Sequence, residues 1–333
     1  MKRNFTYKAL TGALLALAIA LVAQSCHHAD PEIGVQRAID FSALETKVSD
    51  LDDLKSSEQG FGVSAKAFAS GAAGVDVFYN QEVVWQTSAW VYSPTKYWMT
   101  GNTYRFVAYW PYSPSASISG NFENGVTISG FVIDEDPSEQ VDYLVTDVVE
   151  RDCTESNIDE PVEMLFNHAL CNINIQLSTN SSSCTYSVKS VSLSGTSSSG
   201  SYKLTASSSS PSGWTGEWQL NAGTNHYEVD YSDAPQPITS SSSIITVWSD
   251  GLLLFPQTID NSIQITLEYD VTHNGQTKSV LTSVQLPSAP LWQSAKKITY
   301  KLLLPEENDY IKFATPVVEE WGSSQATGTI VIR

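Results

Sequence analysis

Apolar and polar residues alternate with a period of two along much of this chain, and the alternation limits its fold more than any other feature. Residues 262–271, SIQITLEYDV, carry an apolar side chain at every second position from Ile263 to Val271. Successive side chains of a β-strand point to opposite faces, so such a segment buries one face and leaves the other in water. Asn274-Gly275 follows closely and favours a tight hairpin turn, because both residues tolerate positive φ.

The same alternation recurs elsewhere, and no convincing helical pattern occurs beyond the first 25 residues. It is found in residues 39–43, 61–67, 104–110, 280–286 and 298–304. Serine-rich, turn-forming stretches such as residues 195–214 separate these segments. Many short strands with one apolar face and polar loops between them predict an all-β chain of antiparallel β-sandwiches.

Length and composition predict two domains after an N-terminal signal. The chain has 333 residues, of which 41% are hydrophobic, and this is enough for more than one core. We place the boundary at Glu160-Pro161, where an acidic, turn-rich stretch gives way to an apolar one. The predicted units are a signal peptide at 1–25, an N-terminal domain at 26–160 and a C-terminal domain at 161–333.

The N-terminal segment has the order of a secretory signal. Three basic residues precede an unbroken apolar run, residues 13–23, which ends at Gln24-Ser25-Cys26. The run is shorter than the roughly 20 residues of a comfortable membrane span. The junction resembles a bacterial lipobox, in which Cys26 would be acylated and become the new N-terminus, so that acyl chains replace a transmembrane helix. The alternative is a plain secreted protein with an incidental cysteine at this position.

The charge balance excludes some classes of partner. The chain has 18 basic and 36 acidic residues, a formal net charge of −18. Such a surface repels nucleic acid and anionic membranes, so we expect no nucleic-acid partner and contact with a membrane only through the lipid anchor.

The remaining cysteines do not define a disulfide scaffold. Cys153, Cys171 and Cys184 follow Cys26, and an odd number cannot pair fully within the chain. Cys171 shares its strand parity with Ile173 and is predicted to be a small buried residue. A Cys171–Cys184 disulfide stays open as the alternative.

No group of residues has the spacing of a catalytic or metal site. The stretch GTSSSG at 195–200 misses the nucleophile-elbow pattern by one residue. His168 and Cys171 are three residues apart, but on a strand such positions face opposite ways. The acidic turn at 134–139 lacks the regular spacing of a calcium loop. We therefore predict no catalytic residue, no metal and no cofactor, and expect that the protein is not an enzyme.

His168 is predicted to have a packing role. It shares parity with Phe166 and Leu170, whereas residues 171–177 continue with their apolar side chains on the other parity. A bulge at 169–171 would bring both apolar sets to one side. His168 would then point inward and form a hydrogen bond with backbone.

Aromatic residues concentrate in residues 83–114, which hold four of the nine tryptophans. Exposed rings could stack on sugars, whereas buried rings would fill the space between two sheets. The alternation of Tyr104, Phe106 and Trp110 favours the core for most of them.

This aromatic stretch, with the strand before it, resembles the fimbrillin-like family, subunits of type V pili. The resemblance rests on Asn80, on Tyr92-Ser93-Pro94, on Tyr97-Trp98 and on the turn at residues 108–111. Later segments resemble further strands of the family at residues 142–148, 165–177, 252–257 and 295–304. Each motif is weak alone, whereas their order and spacing together are specific.

The resemblance implies two tandem transthyretin-like β-sandwich domains, made as a lipoprotein precursor. It further implies that a trypsin-like protease cuts near the N-terminus at the outer membrane and that subunits then polymerise by strand exchange into a surface fimbrium. The implied partners are other fimbrial subunits, in homo- or hetero-polymers, and receptors or glycans on host or bacterial surfaces. The alternative function is a lipid-anchored surface glycan-binding protein that does not polymerise.

The segment AIDFSALETKV, residues 38–48, is the predicted removable first strand, with Ile39, Phe41 and Ala43 pointing inward. The family pattern places its cleavable basic residue just after this strand, and Lys47 matches that position. Arg37 has the chemistry preferred by an arginine-specific protease, but it precedes the strand. Lys47 and Arg37 are therefore the two cleavage candidates.

Two segments near the end of the sequence are candidate donor strands. YIKFATPVV, residues 310–318, aligns Ile311 with Phe313, and GTIVIR, residues 328–333, aligns Ile330 with Ile332. Adding such a strand to another subunit would be β-augmentation, in which backbone hydrogen bonds supply affinity and alternate side chains fill pockets. The alternative is that each segment closes a sheet of its own domain.

Overall fold

The computed structural model describes residues 36–45, 54–55, 59–305 and 311–321. Residues from Ala38 onward belong to one compact unit, and Met1–Arg37 is assigned to a separate one. Cys26, Lys47, Ile330 and Ile332 lie outside the described residues.

The described residues form strands almost throughout, which confirms the predicted all-β class. The first strands are β1 (Phe41–Glu45), β2 (Phe61–Phe68), β3 (Val75–Gln86), β4 (Ala89–Val91), β5 (Thr103–Trp110), β6 (Ser117–Gly120), β7 (Gly125–Val132), β8 (Leu144–Thr146), β9 (Val149–Asp152), β10 (Val162–His168), β11 (Cys171–Thr179) and β12 (Cys184–Ser197). The later ones are β13 (Ser199–Ala206), β14 (Trp214–Leu220), β15 (Thr224–Asp230), β16 (Gln236–Ile238), β17 (Ile245–Thr246), β18 (Leu252–Leu254), β19 (Gln264–His273), β20 (Gln276–Gln285), β21 (Lys296–Leu304), β22 (Lys312–Phe313) and β23 (Val317–Glu320). In the described part of the chain, one 3-10 turn, Pro137–Glu139, precedes β8. No described helix has the length and hydrophobicity needed to cross a bilayer.

The strands form four sheets. The first has the order β1-β10-β8-β5-β2-β3-β4, with β9 also paired to β5. The second has the order β17-β11-β21-β22, with β18 on β11 and β23 on β21. The third has the order β15-β12-β19-β20, with β16 on β12, and the fourth has the order β14-β13-β7-β6.

The hairpin of β19 and β20 shows how local sequence specifies a strand pair. Gln264 faces Gln285 and the antiparallel register runs unbroken to His273 and Gln276. Asn274 and Gly275 have φ values of 51° and 76°, so the turn uses the positive φ that this dipeptide tolerates.

Most pairs of described strands are antiparallel, but two are parallel. β1 runs parallel to β10 and β11 runs parallel to β21. Parallel neighbours need long crossover connections, and both pairs join strands that are far apart in the sequence. A period-two pattern does not contain this information.

Two apolar clusters lie beneath these sheets. The first gathers residues between Ile39 and Phe166, and the second gathers residues between Phe68 and Ile311. Strands from either side of Glu160-Pro161 pair with each other, as β7 does with β13 and β1 with β10. The assignment of 26–160 and 161–333 to separate domains stays a prediction.

The segment around His168 corrects one expectation. Instead of a bulge within one strand, β10 ends at His168 in the first sheet and β11 begins at Cys171 in the second. Phe166 packs in the first cluster and Leu170 and Cys171 in the second. The change of parity in the sequence therefore marks a change of sheet, because the same chain must turn one face to each core.

The three described cysteines, Cys153, Cys171 and Cys184, are buried and free, so the open Cys171–Cys184 disulfide is not formed. Cys171 donates from its Sγ to the backbone oxygen of Leu254 over 3.2 Å. Complete burial raises the pKa of the Cys171 thiol, as expected of a structural cysteine.

Candidate functional site

The first strand lies at one end of the first sheet. β1 pairs in parallel with β10, from Phe41 opposite Val162 to Glu45 opposite Phe166. The backbone nitrogen of Val162 donates to the oxygen of Asp40 over 2.8 Å, which begins this ladder. β1 is therefore attached to the sheet body through β10.

The residues just before β1 are also held from the other side. The backbone nitrogen of Ile39 donates to the oxygen of Lys96 over 2.9 Å, and the Tyr92 hydroxyl donates to the oxygen of Ile39 over 2.8 Å. Ala38 forms an antiparallel bridge with Tyr97. Burial raises the pKa of Tyr92. The segment 38–45 thus lies in a slot between β10 and residues 92–97.

Phe41 is the main side chain in this slot. Its ring lies 6.1 Å from that of Phe61, 5.5 Å from Phe78, 5.7 Å from Tyr92 and 6.1 Å from Phe106, all edge to face. This is the arrangement that aromatic quadrupoles prefer. The first strand therefore fills an aromatic groove.

The exposed fractions of its side chains show how completely the first strand is buried against the protein body. Ile39 is 0% exposed, and Phe41 and Ala43 are each 6% exposed. Full burial of a large apolar side chain contributes about 1.5–3 kcal/mol, so Ile39 and Phe41 together contribute roughly 3–6 kcal/mol. Without this strand, the groove would expose an apolar surface beside an unpaired β10 edge.

The two cleavage candidates differ in position. β1 ends at Glu45, two residues before Lys47 in the sequence. Arg37 is exposed and precedes the slot-bound segment. A cut at Arg37 would leave Ile39 and Phe41 on the protein body, whereas a cut at Lys47 would detach both. The positions of Lys47 and Arg37 do not test whether the chain is cut at either residue, and both cleavage sites stay predictions.

Of the two candidate donor segments, the earlier one has a sheet of its own. Phe313 of β22 lies opposite Leu302 of β21, and β23 pairs with β21 from Val317 opposite Thr299 to Glu320 opposite Lys296. Ile311 is buried, and the Phe313 ring lies 6.5 Å from that of Tyr300. The donor role of Ile311 and Phe313 stays a prediction. The pairs of β22 and β23 with β21 would have to break before this segment could bind another subunit.

Asn80 holds a network whose role the sequence did not reveal. Its φ of 43° is left-handed. Its Nδ2 donates to the backbone oxygens of Ser113 and Ala116 over 2.9 and 3.1 Å, and its Oδ1 accepts from the Tyr109 hydroxyl over 2.7 Å. Asn80 therefore ties β3 to the turn after β5. The sequence contained one signal for this network: Asn80 and the turn at 108–111 are both among the motifs that resemble the family. In the structure the two belong to one hydrogen-bond network.

None of the nine tryptophans, all within the described residues, is exposed. The four in the aromatic stretch are Trp85, Trp90, Trp98 and Trp110, of which Trp90 and Trp98 are each 8% exposed. The aromatic stretch is therefore mainly core, with Trp90 and Trp98 buried and Trp85 and Trp110 half-buried.

His168 is buried, and its partner differs from the one expected. Its Nδ1 bonds the carboxylate of Asp142 instead of backbone, and its ring stacks on Trp321 with centroids 4.2 Å apart. Burial raises the pKa of the Asp142 carboxyl, and the hydrogen bond from His168 acts in the opposite direction. No group of metal ligands occurs among the described residues.

The architecture defines an all-β class of protein in which the first described strand, β1, covers an aromatic core. The fimbrillin-like family model matches residues 46–321, and the chain belongs to the fimbrillin-like family. Membership implies a fimbrial role at the cell surface in association with other fimbrial subunits, in a family that is in general not enzymatic.

Several solved structures are similar to this chain. A candidate cell adhesion protein from Bacteroides uniformis is 17% identical, with 86% of this chain and 98% of that chain covered and a TM-score of 0.45. A candidate cell adhesion protein from Parabacteroides distasonis is 11% identical, with 87% and 98% covered and a TM-score of 0.45. The fimbrial anchor protein Mfa2 from Porphyromonas gingivalis is 10% identical, with 86% and 98% covered and a TM-score of 0.35. No curated protein matches the chain.

Proposed function

We propose that the protein is a structural subunit of cell-surface fimbriae, as a shaft, tip or accessory component, that serves adhesion. It is made as a precursor anchored in the outer membrane through acylated Cys26. Proteolysis removes the first strand, and a strand from another subunit replaces it. The finished subunit then resides in the fimbrium, where receptors or glycans on host or bacterial surfaces are further partners.

The placement of Phe41 is the observation that carries this proposal. Its ring contacts four aromatic rings of the protein body, yet the strand that bears it pairs with only β10. Removal of this strand breaks no pairing among the other strands of the first sheet. It leaves an apolar groove with a free strand edge, which is the feature that β-augmentation requires.

Cleavage at Lys47 fits this use of the groove better than cleavage at Arg37, because only the former frees Ile39 and Phe41 from the body. Lys47 is a lysine, so the proposed protease has a trypsin-like specificity that includes lysine. The proposed donor is GTIVIR, residues 328–333, in which Ile330 and Ile332 have the two-residue spacing of Ile39 and Phe41. YIKFATPVV is the second candidate, since Ile311 and Phe313 must first leave β21.

Limited trypsin treatment of the purified protein, followed by size-exclusion chromatography and mass spectrometry, tests the proposal. Cleavage after Lys47 is expected to give a ladder of oligomers, and deletion of residues 328–333 is expected to abolish it. Lys47→Ala is the matched cleavage control and Arg37→Ala the comparison. A body that is cut cleanly at Lys47 and stays monomeric argues against a shaft subunit and leaves an anchor, a tip subunit or the non-polymerising glycan binder.

A further inference from the structure

One edge of the third sheet is formed by β20, a strand of ten residues with no partner on its outer side among the described strands. Its pairing with β19 runs without a bulge from Gln276 to Gln285, and its sequence, QTKSVLTSVQ, contains no proline or glycine. Such an edge presents a row of free N–H and C=O groups that can pair with another strand. β20 therefore lacks most of the features that prevent this pairing.

The hairpin turn determines which residues of β20 have their backbone groups at this free edge. In a two-residue hairpin the residues that flank the turn, here His273 and Gln276, form a hydrogen-bonded pair. Hydrogen-bonded and non-hydrogen-bonded pairs alternate along an antiparallel ladder, so every second residue of β20 from Gln276 onward bonds to β19. The N–H and C=O groups of the intervening residues point away from β19, and these residues are Thr277, Ser279, Leu281, Ser283 and Gln285.

Side-chain contacts with β19 agree with this assignment. Side chains approach each other most closely across non-hydrogen-bonded pairs. Three of the five residues form side-chain hydrogen bonds with the residue opposite: Thr277 with Thr272 over 2.8 Å, Ser279 with Asp270 over 2.5 Å and Ser283 with Thr266 over 2.8 Å. The free edge thus consists of the backbone groups of alternate residues, with short hydroxyl side chains beside most of them.

Leu281 is the large apolar side chain in this row. It is the third of the five residues and is 72% exposed. On the other face of β20, Val280 and Val284 are half-buried against the apolar cluster of the third sheet. A single exposed leucine is ordinary in a folded protein. Here, however, the leucine lies at the centre of a free strand edge and on the face turned away from its own core.

The charges around β20 permit a second copy to approach. The chain has 36 acidic residues, but none lies in β20, whose one charged residue is Lys278. On the adjacent strand, Glu268 and Asp270 share the Lys189 ammonium, which lies 4.0 and 2.7 Å from their carboxylates. Two acidic copies therefore repel each other less along this edge than over the rest of their surfaces.

We propose that two copies of the chain associate through β20, edge to edge and antiparallel, about a two-fold axis beside Leu281. An axis perpendicular to the sheet keeps each face on its own side, so residues of the same parity lie opposite each other. Leu281 then lies opposite Leu281 of the second copy, Ser279 opposite Ser283, and Thr277 opposite Gln285. All five residues have their backbone groups at the edge, so each pair exchanges both N–H···O bonds. The third sheets of the two copies become one continuous sheet.

The residues of β20 favour this register over its neighbours. It places Lys278 opposite Val284 of the second copy and keeps the two lysines six residues of strand apart, about 20 Å. An axis at Ser279 or Ser283 pairs fewer residues and separates the two leucines. The contact is independent of β1 and of strand exchange. Its consequence in a fimbrium, contact between subunits side by side, rests on the proposed function.

Sedimentation equilibrium of the uncut Cys26→Ala chain, which carries no acyl group, tests the proposal. The mass should rise from that of a monomer toward twice that value as the protein is concentrated from the micromolar to the millimolar range. Leu281→Asp should weaken the association at least about tenfold, because two carboxylates then lie directly opposite each other. Leu291→Asp, at a 63% exposed position outside β20, should leave it unchanged. A parent chain that stays monomeric throughout overturns the proposal.

Ser283→Pro separates the backbone contribution from that of side chains. The Ser283 N–H points to the free edge, so proline removes a hydrogen bond to the second copy and leaves the ladder with β19 intact. Ser283→Ala is the matched control, since it loses the same hydroxyl but keeps the N–H. The proline variant should be monomeric, whereas the alanine variant should associate like the parent chain. Equal association of the two variants shows that this edge is not used.

Cross-linking tests the register. The described cysteines are buried, so Leu281→Cys in the Cys26→Ala chain provides an exposed thiol that a short bismaleimide should join to its equivalent. Thr277→Cys is the matched control, because eight residues of strand, about 27 Å, separate the two copies of this position. Equal cross-linking of both variants, or of neither, rejects the register. All three measurements use uncut protein, so their results do not depend on cleavage at Lys47.

Discussion

The rings of His168 and Trp321 stack face to face, with centroids 4.2 Å apart and planes inclined by 9°. His168 ends β10, the strand that holds β1, and Trp321 follows β23. The pair therefore joins the strand that holds the first strand to the segment that leads to residues 322–333. His168 and Trp321 thus connect the two regions on which the proposed assembly depends, the first strand and the segment after Trp321.

Replacement of His168 by Gln should lower stability by about 1–3 kcal/mol, because the buried Asp142 carboxyl loses its partner and Trp321 loses its stacked ring. Thermal unfolding followed by circular dichroism measures the change. Elemental analysis of the wild type should find no stoichiometric zinc. Stoichiometric zinc in the wild type that is lost in the His168→Gln variant would show that His168 is a ligand instead of a packing residue.

The buried Asp142 carboxyl should make the protein less stable as the pH rises. Burial raises its pKa in the folded state above the ordinary value of 3.8. Its stability contribution is therefore fully present below about pH 3.8 and is lost as the pH rises through the raised pKa. Asp142→Asn removes this dependence.

Urea unfolding across a pH series, with and without Asp142→Asn in the His168→Gln background, isolates the carboxyl from the imidazole. The protein with Asp142 should lose stability relative to the Asn variant as the pH rises. A difference that stays constant with pH, or grows in favour of Asp142, contradicts the assigned direction.

Phe41→Ala should destabilise the uncut protein by about 3–5 kcal/mol, because it empties a site contacted by four rings. Denaturant unfolding measures this loss. After cleavage at Lys47 and removal of the N-terminal peptide, the variant and wild-type bodies should have equal stability. A difference that persists means that the first strand was not released. Leu281→Ala, at an exposed site on β20, serves as the control.

Asn80 should be sensitive to its backbone angle as well as to its amide. Asn80→Ala loses the hydrogen bonds to Ser113 and Ala116 and also places Ala at a φ of 43°. Asn80→Gly loses the same bonds but tolerates this angle. The Ala variant should therefore be less stable than the Gly variant by about 1 kcal/mol in urea unfolding. Equal losses would mean that the amide alone matters.

Cys26→Ala should abolish acylation of the precursor, since Cys26 is the proposed site of the thioether. Metabolic labelling with a palmitate analogue and in-gel detection measure it. Cys153→Ala is the matched control, because that cysteine is buried within the folded body. Label that persists in the Cys26 variant contradicts the lipoprotein hypothesis.

The sequence by itself determined the elements whose causes are local. Alternation specified β19 and β21 with their buried faces and β20 with its half-buried face, and Asn274-Gly275 specified the hairpin turn, because strand period and turn geometry depend on adjacent residues. The order of short motifs around Asn80 and the aromatic stretch likewise indicated the family without any knowledge of contacts.

Only the tertiary structure decided which strands and side chains meet. The parallel pairing of β1 with β10, the change of sheet between His168 and Cys171, the pairing of Phe313 with Leu302 and the stacking of Trp321 on His168 all join residues through the folded chain. A period-two pattern states which face of a strand is apolar, but many strands share that pattern. The partner is chosen by the fit of side chains across the whole core, and that fit exists only once the sheets are assembled.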